Sequence, residues 1–314
     1  MLLFGLLLAA TPPTLEVPMR CAIGQNCLIQ KLFDLDPGPA RRDYRCGTLT
    51  TNGHDGVDIR LRNRAAMARG IQVVAAAAGT VLRTRDGEPD RDVRSFGVAD
   101  DRQAGNGVVI DHGGGWQTQY SHLRRGSIRV KPGQHVRVGD PIGLVGMSGN
   151  TEYPHMHFTV RHGGKPIDPF GGLPGAACTK PGHGMWSTAA AAVLAYRPTA
   201  IIATGFASTR PDADRAREGG YDARSAPRGL PIVMWADALG VRAGDRQRVT
   251  ILGPGGAVAH RGDTSVESGG LVWFGFSGTR PPVGGWPAGR YTGRYEIVRE
   301  GGVVATGESG IEVE

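Results

Sequence analysis

The apolar pattern runs in short stretches broken by turn residues, and no long helical pattern is present. Residues 54–61 alternate polar and apolar as a half-buried strand does. Gln72–Leu82 reads as two short strands with a turn near Gly79, and residues 83–106, crowded with charges of both signs, read as a long surface loop that is a candidate wall of a binding groove. Gly107–His112 and Trp116–Leu123, joined through Gly113–Gly115, predict a hairpin. Ile128–Gly146 predicts short strands interrupted by glycines, and the run beginning Tyr153-Pro154-His155-Met156-His157-Phe158 follows a turn at Ser148–Asn150. Lys165–Pro169 closes this first region. Beyond a Gly-, Pro- and Ala-rich stretch, seven strand-like runs lie between Ala200–Ala203 and Val303–Glu312, separated by turn signals such as Gly253–Gly256 and Gly301-Gly302. The expectation is a mainly β protein, with an antiparallel β-sheet domain followed by a β-sandwich of Ig-like type.

Composition agrees with this picture. The 314 residues suffice for two domains, and 50 glycines with few aromatics favour many tight turns. The net charge of +7 points to anionic surroundings such as envelope polymers. No Lys/Arg run is interleaved with aromatics, so no nucleic-acid partner is expected. Met1–Ala10 is a short apolar run ending in small residues and followed by Pro12 and Pro13; residues 1–13 read as a signal peptide, placing the protein in the periplasm or cell envelope. The run is too short for a stable membrane span, and no other stretch qualifies. An even number of cysteines fits export. Cys21 and Cys27 would close a small loop, which leaves Cys46 to pair with Cys178. No CxxC pair supports a cysteine zinc site.

The chemistry gathers at two places. His155 and His157 stand two apart on a predicted strand, so both imidazoles face one side. His54 and Asp58 stand four apart across Gly56, which lets the chain turn tightly while both side chains reach one point. Catalytic zinc sites use three protein ligands and keep a fourth position for water. His54, Asp58 and one of His155 or His157 would satisfy that, giving a zinc-activated water as nucleophile. The other histidine of the pair and His122 could then serve as base and as donor to the developing oxyanion. Taken singly, a His-x-His or His-x-x-x-Asp is more often incidental. His112, His135, His162, His183 and His260 read as structural or solvent-exposed, His112 being the first to reconsider because it ends a strand near the cluster.

At these residues the chain resembles the lysostaphin/LytM-like zinc metallopeptidases that cut peptidoglycan peptides. The resemblance is carried by His54-Asp55-Gly56-Val57-Asp58, His122-Leu123, the Gly-rich Val138–Gly146 and His155-Met156-His157-Phe158, in the same order, over about residues 50–170. It implies that His54, Asp58 and His157 bind Zn2+ and that His122 and His155 are the catalytic pair. It implies an exported endopeptidase acting on stem or cross-link peptides, with residues 51–178 as the antiparallel β-sheet metallopeptidase domain. Residues 14–50 would be a Cys-containing N-terminal segment, 179–197 a linker and 198–314 the sandwich. The chain departs from the family pattern at Tyr153, where Gly is usual, and at Thr159, where Glu is common; both bear on substrate preference and on support of the ligands. The alternative reading is a catalytically silent wall-binding module or an activator of a separate hydrolase. Against it, all three ligand positions and both catalytic histidines are retained.

Overall fold

A computed structural model describes residues 11–172, 178–179 and 184–314. Met1–Ala10, most of the expected signal peptide, and His183 lie outside the described residues. The chain divides into two compact units. The first runs to Arg60 and resumes over Arg69–Ala195; the second comprises Leu61–Ala68 and Tyr196–Glu314.

The first unit is built on an antiparallel sheet. Its strands are β1 (Cys27–Lys31), β2 (Val57–Leu61), β3 (Gln72–Val74), β4 (Gly79–Arg85), β5 (Asn106–Gly113), β6 (Trp116–Leu123), β7 (His135–Val136), β8 (Pro141–Leu144), β9 (His155–His162) and β10 (Lys165–Ile167). The main sheet has the order β1-β2-β9-β6-β5-β4-β7, with β10 paired to β9, while β3 and β8 pair separately. The period-two pattern of β9 sorts its side chains. Met156, Phe158 and Val160 enter the core, where they meet Tyr120, Val108 and Ile110 from the neighbouring strands, all of them fully buried. Burying each such side chain contributes roughly 1.5–3 kcal/mol, which specifies the register because a one-residue slip would turn every one of them outward. His155, His157, Thr159 and Arg161 are thereby forced to the opposite face.

Two expectations change. Residues 83–106 are not a free loop. Strand β4 continues to Arg85, a helical turn spans Val93–Phe96, and Asp86 and Asp90 tie the segment down. The Asp90 carboxylate accepts from the Met147 and Arg125 N–H groups, and that of Asp86 from Gly126 and Ile128. Acidic residues expected to be solvated instead satisfy backbone donors. The presumed linker is ordered over 184–195: Ser187 caps a helix at Thr188–Val193, Trp186 bridges to Leu15, and Leu194 and Ala190 are buried. The N-terminal segment is part of the first unit. β1 forms the edge of the main sheet, and Asp34 accepts from the Gly53 N–H while its own N–H donates to the His54 carbonyl. The disulfides are Cys21–Cys27 and Cys46–Cys178, as the spacing predicts.

The second unit carries β11 (Ala200–Ala207), β12 (Ser225–Ala226), β13 (Ile232–Val241), β14 (Arg246–Leu252), β15 (Val258–Ser265), β16 (Gly270–Thr279), β17 (Gly289–Arg299) and β18 (Gly302–Val313). They form one sheet ordered β11-β13-β16 and another ordered β12-β18-β17-β14-β15. Phe206, Met234 and Ala236 from the first sheet share a core with Val249, Ile251, Tyr291, Tyr295 and Ile297 from the second, the arrangement of a β-sandwich. A buried carboxylate, Asp237, is held by the Arg217 guanidinium through two hydrogen bonds of 3.0 Å.

Candidate metal centre

β2 and β9 are neighbours, and their register sets Asp58 opposite His157. His54 precedes β2 and is drawn in by the N-terminal segment, its Nδ1 lying 2.7 Å from the Leu32 carbonyl. That contact requires the proton on Nδ1, and Nε2 faces Asp58 Oδ1, 3.0 Å away. His157 approaches the same oxygen through Nδ1 at 2.8 Å. One donor atom from each of His54, Asp58 and His157 lies within 4.8 Å of the other two. Two imidazole nitrogens thus converge on one carboxylate oxygen, and a donor set of two imidazoles and a carboxylate fits zinc.

Gly56 is needed at this crossing because of close approach. A Cβ there would stand 2.4 Å from the Phe158 carbonyl oxygen and 2.8 Å from His157 Nε2. The tight turn read from the sequence is a lesser reason, since Gly56 is not among the residues with positive φ.

Around the cluster the partners are specific. His157 Nε2 meets Asp55 Oδ1 and Thr159 Oγ1, each at 3.0 Å, the kind of outer contact that fixes the orientation of a ligating imidazole. On the far side of Asp58, Oδ2 accepts from the Tyr153 hydroxyl at 3.3 Å and pairs with Lys31 Nζ at 3.4 Å. The Arg60 guanidinium and the Lys31 ammonium lie against the Tyr153 ring, 4.6 and 5.7 Å from its centroid. Both departures from the family pattern, Tyr153 and Thr159, thus contact the site. Thr159 was readable as the next same-face residue after His157, and Asp55 as an acid beside His54. Lys31, on an edge strand distant in sequence, carried no signal.

His122 and His155 stand beside the cluster with ring centroids 4.6 Å apart. His155 Nδ1 is 3.0 Å from both the Tyr153 carbonyl and Thr151 Oγ1, and its Nε2 is 3.5 Å from Asp58 Oδ1. His122 Nδ1 is held by the Ser148 carbonyl at 2.7 Å. His122 also adopts a left-handed backbone, φ 59°, sparsely populated for a residue with a Cβ. Its N–H donates to the Ala104 carbonyl, and the Gly105 and Ser148 backbones pack so closely that a Cβ on Gly105 would clash. The strapped-down 86–106 segment and the Ser148–Asn150 turn hold this conformation.

Electrostatics separates the histidines. Burial pulls His155 down to about 4 against the attraction of Asp58, and burial with the neighbouring His155 and His157 pulls His122 well below the usual histidine range. Both are neutral at pH 7. Burial also acts to lower His157, but hydrogen bonds to Asp55 and Asp58 outweigh it and raise it to about 9. Burial disfavours the Asp58 carboxylate, yet His54, His155 and His157 together hold it well below the ordinary range.

The remaining histidines have structural partners. His112, on the reverse face, bridges the Ala78 carbonyl and Thr118 Oγ1. His135 bonds Thr80, His162 stacks on Trp116 with centroids 4.2 Å apart, and His260 bonds Ser277.

An antiparallel sheet with a His-Asp-His cluster on one face and two neutral histidines beside it defines a metallopeptidase type of centre. Residues 52–169 match Peptidase family M23. Three relatives show the extent of the likeness. The chain is 36% identical over 115 residues to Peptidoglycan DD-endopeptidase ShyA of Vibrio cholerae, covering 37% of this chain and 22% of the relative. It is 34% identical over 130 residues to the Lipoprotein NlpD/LppB homolog of Pseudomonas aeruginosa, covering 41% and 36%. It is 35% identical over 109 residues to Cell division protein DipM of Caulobacter vibrioides, covering 32% and 16%. The matched part is thus well under half of each relative. Among the described residues no helix is long and apolar enough to cross a membrane.

Proposed function

We propose that the protein is an exported zinc-dependent endopeptidase that hydrolyses amide bonds in peptidoglycan stem or cross-link peptides. The observation that carries this reading is the convergence of His54 Nε2, Asp58 Oδ1 and His157 Nδ1 beside two buried, neutral histidines. His54, Asp58 and His157 would hold the zinc. When bound, zinc supplies Lewis acidity that polarises an amide carbonyl and lowers the pKa of water.

The chain's own residues account for the proton steps. The Nδ1 atoms of His155 and His122 are committed to the Tyr153 and Ser148 carbonyls, so each ring keeps a lone pair on Nε2. One imidazole takes a proton from the attacking water. The resulting imidazolium hydrogen-bonds the oxyanion through its Nε2–H and then transfers that proton to the departing amine, which returns the ring to its neutral form. The pair shares these tasks. Tyr153 and Lys31 hold Asp58 by Oδ2, leaving Oδ1 turned toward the histidines. The name of one relative, a peptidoglycan DD-endopeptidase, supports the wall as the setting.

A second reading, a catalytically silent wall-binding module, draws on the Lys31 ammonium and Tyr153 hydroxyl, which compensate Asp58 without any metal. Zinc content and hydrolysis decide between the two. The peptidase reading expects stoichiometric zinc, release of peptides from purified peptidoglycan, and loss of that release on chelation and in His155→Ala and His122→Ala. Full activity of the chelated protein would overturn it. A well-folded protein that takes up no zinc would favour the silent module.

A further inference from the structure

The face of the sheet that carries His157 does not stop at the metal cluster. Register sets Ser121 beside His157 and Gln119 beside Thr159, then Val109 beside Gln119 and Arg83 beside Val109. With strands about 4.8 Å apart, Arg83 begins about 14 Å from the β9 row. Over this face lies a groove of about 490 Å³, lined among others by Arg83, Arg85, Val109, Gln119 and Ser121. Its wall is the 100–105 segment that also braces His122.

The charges in the groove are unevenly compensated. Arg83 is exposed and has no acidic partner among the described residues. Arg161 reaches along the same face, donating to Gln119 Oε1 at 2.9 Å, with Asp55 Oδ2 at 3.4 Å. Burial lowers the Arg161 pKa, Asp55 offsets this, and the Arg83 charge lowers it further. The acids on the wall are turned elsewhere, Asp101 to Arg102 at 3.7 Å and Asp100 to the Gln103 amide at 3.3 Å. Arg85 is committed to the Asp101 carbonyl. An exposed arginine without an acidic partner among the described residues, in a groove that also holds a side-chain amide, is a receptor for a planar anion.

We propose that Arg83, with Gln119 in the same groove, forms a subsite for a carboxylate of the bound peptide on the side of the groove away from His155 and His157. The inference rests on the peptidase reading for its choice of a peptide ligand. At about 3.4 Å per extended residue, a span of 14 Å corresponds to about four residues. The carboxylate recognised therefore belongs to the chain end or to a side chain a few residues from the bond at the metal, not to the reacting amide.

The test is equilibrium binding, so that it does not depend on turnover. Full-length protein carrying His155→Ala is titrated with a fluorescent stem-type peptide bearing free carboxylates. Two further peptides are amidated, one at the C-terminus and one at the side-chain carboxylate. One amidation should weaken binding by about tenfold, as expected for losing charged hydrogen bonds, and which one does so identifies the carboxylate. Adding Arg83→Gln should weaken the free acid by a similar factor and leave that amide unchanged, while Arg83→Lys should restore part of the preference. Equal binding of all three peptides, retained discrimination in Arg83→Gln, or no binding of any peptide would overturn the subsite. Hydrolysis by the parent protein is measured separately. Its absence would defeat the peptidase reading and leave the binding result standing.

Discussion

The Lys31 ammonium lies 3.4 Å from Asp58 Oδ2, on the side of the carboxylate away from His54 and His157. An edge strand from the N-terminal segment thus places a cation against the acid at the centre of the metal cluster. In the metal-free protein the pair stabilises a carboxylate that is almost wholly buried. Once a divalent cation is bound, the same ammonium repels it. At an effective dielectric of 20, unit charges near contact interact by about 4 kcal/mol, whereas orienting the carboxylate contributes about 1 kcal/mol and Tyr153 still performs it. Repulsion is the larger effect. Lys31→Met is therefore expected to bind zinc at least about tenfold more tightly in a chelator competition, and to melt at a lower temperature than wild type once stripped of metal. Weaker zinc binding in the variant would contradict this.

Zinc uptake should release a proton. In the metal-free protein His157, raised to about 9 by Asp55 and Asp58 against the effect of burial, is an imidazolium at neutral pH. It can ligate only after losing the Nδ1 proton. Apparent affinity should rise as pH increases toward 9, with about one proton released per zinc near pH 7.5. Calorimetry in buffers of different ionisation enthalpy reads that number directly, and a value near zero would contradict the assignment of His157 as a ligand.

Gly56→Ala should disable the centre without touching a ligand. The added methyl group would collide with the Phe158 carbonyl and with the His157 ring. The β2–β9 crossing must open or His157 must turn. A loss of about 1–3 kcal/mol in denaturant unfolding is expected, with zinc stoichiometry falling well below one. Normal zinc content in a folded variant would show that His157 is not required.

Asp168 sets a stability slope of its own. Burial, partly offset by the Phe170 and Gly171 N–H groups, pushes its carboxyl up to about 6. The folded pKa exceeds the unfolded value of about 3.9, so between these values the unfolded state binds fewer protons. Stability from this residue is present below pH 4 and is lost as pH rises through 6, by about 3 kcal/mol in all. Asp168→Asn cannot titrate. The difference in unfolding free energy between wild type and variant should therefore move in favour of the variant from pH 4 to pH 7, measured by urea titration at each pH.

The histidines of the centre could be read from the chain because strand periodicity is local. Two positions apart on a strand means one face, which brings His155 and His157 together. His54-x-x-x-Asp58 is likewise a local arrangement, and the hairpin leading to His122 was marked by Gly113–Gly115. The ordered character of residues 86–106 was not visible. Its charges looked solvated, and only the fold shows that Asp86 and Asp90 are spent on N–H groups of the 125–128 turn and of Met147. The order of residues 184–195 was hidden for a similar reason, since Ala-rich composition does not reveal burial against Leu15.

The sequence by itself determined the strand faces and the residue types of the centre, because these follow from spacings of a few residues, and it suggested one of three cysteine pairings, the one the disulfides show. Only the tertiary structure decided which nitrogen of each imidazole faces Asp58, that Lys31 and Tyr153 occupy its second oxygen, and that Arg83 and Gln119 share a groove. Those contacts join residues mostly 25 to 100 positions apart. They depend on β-register and on which backbone carbonyl each side chain meets, and both are set by packing of the whole sheet and not by any local pattern.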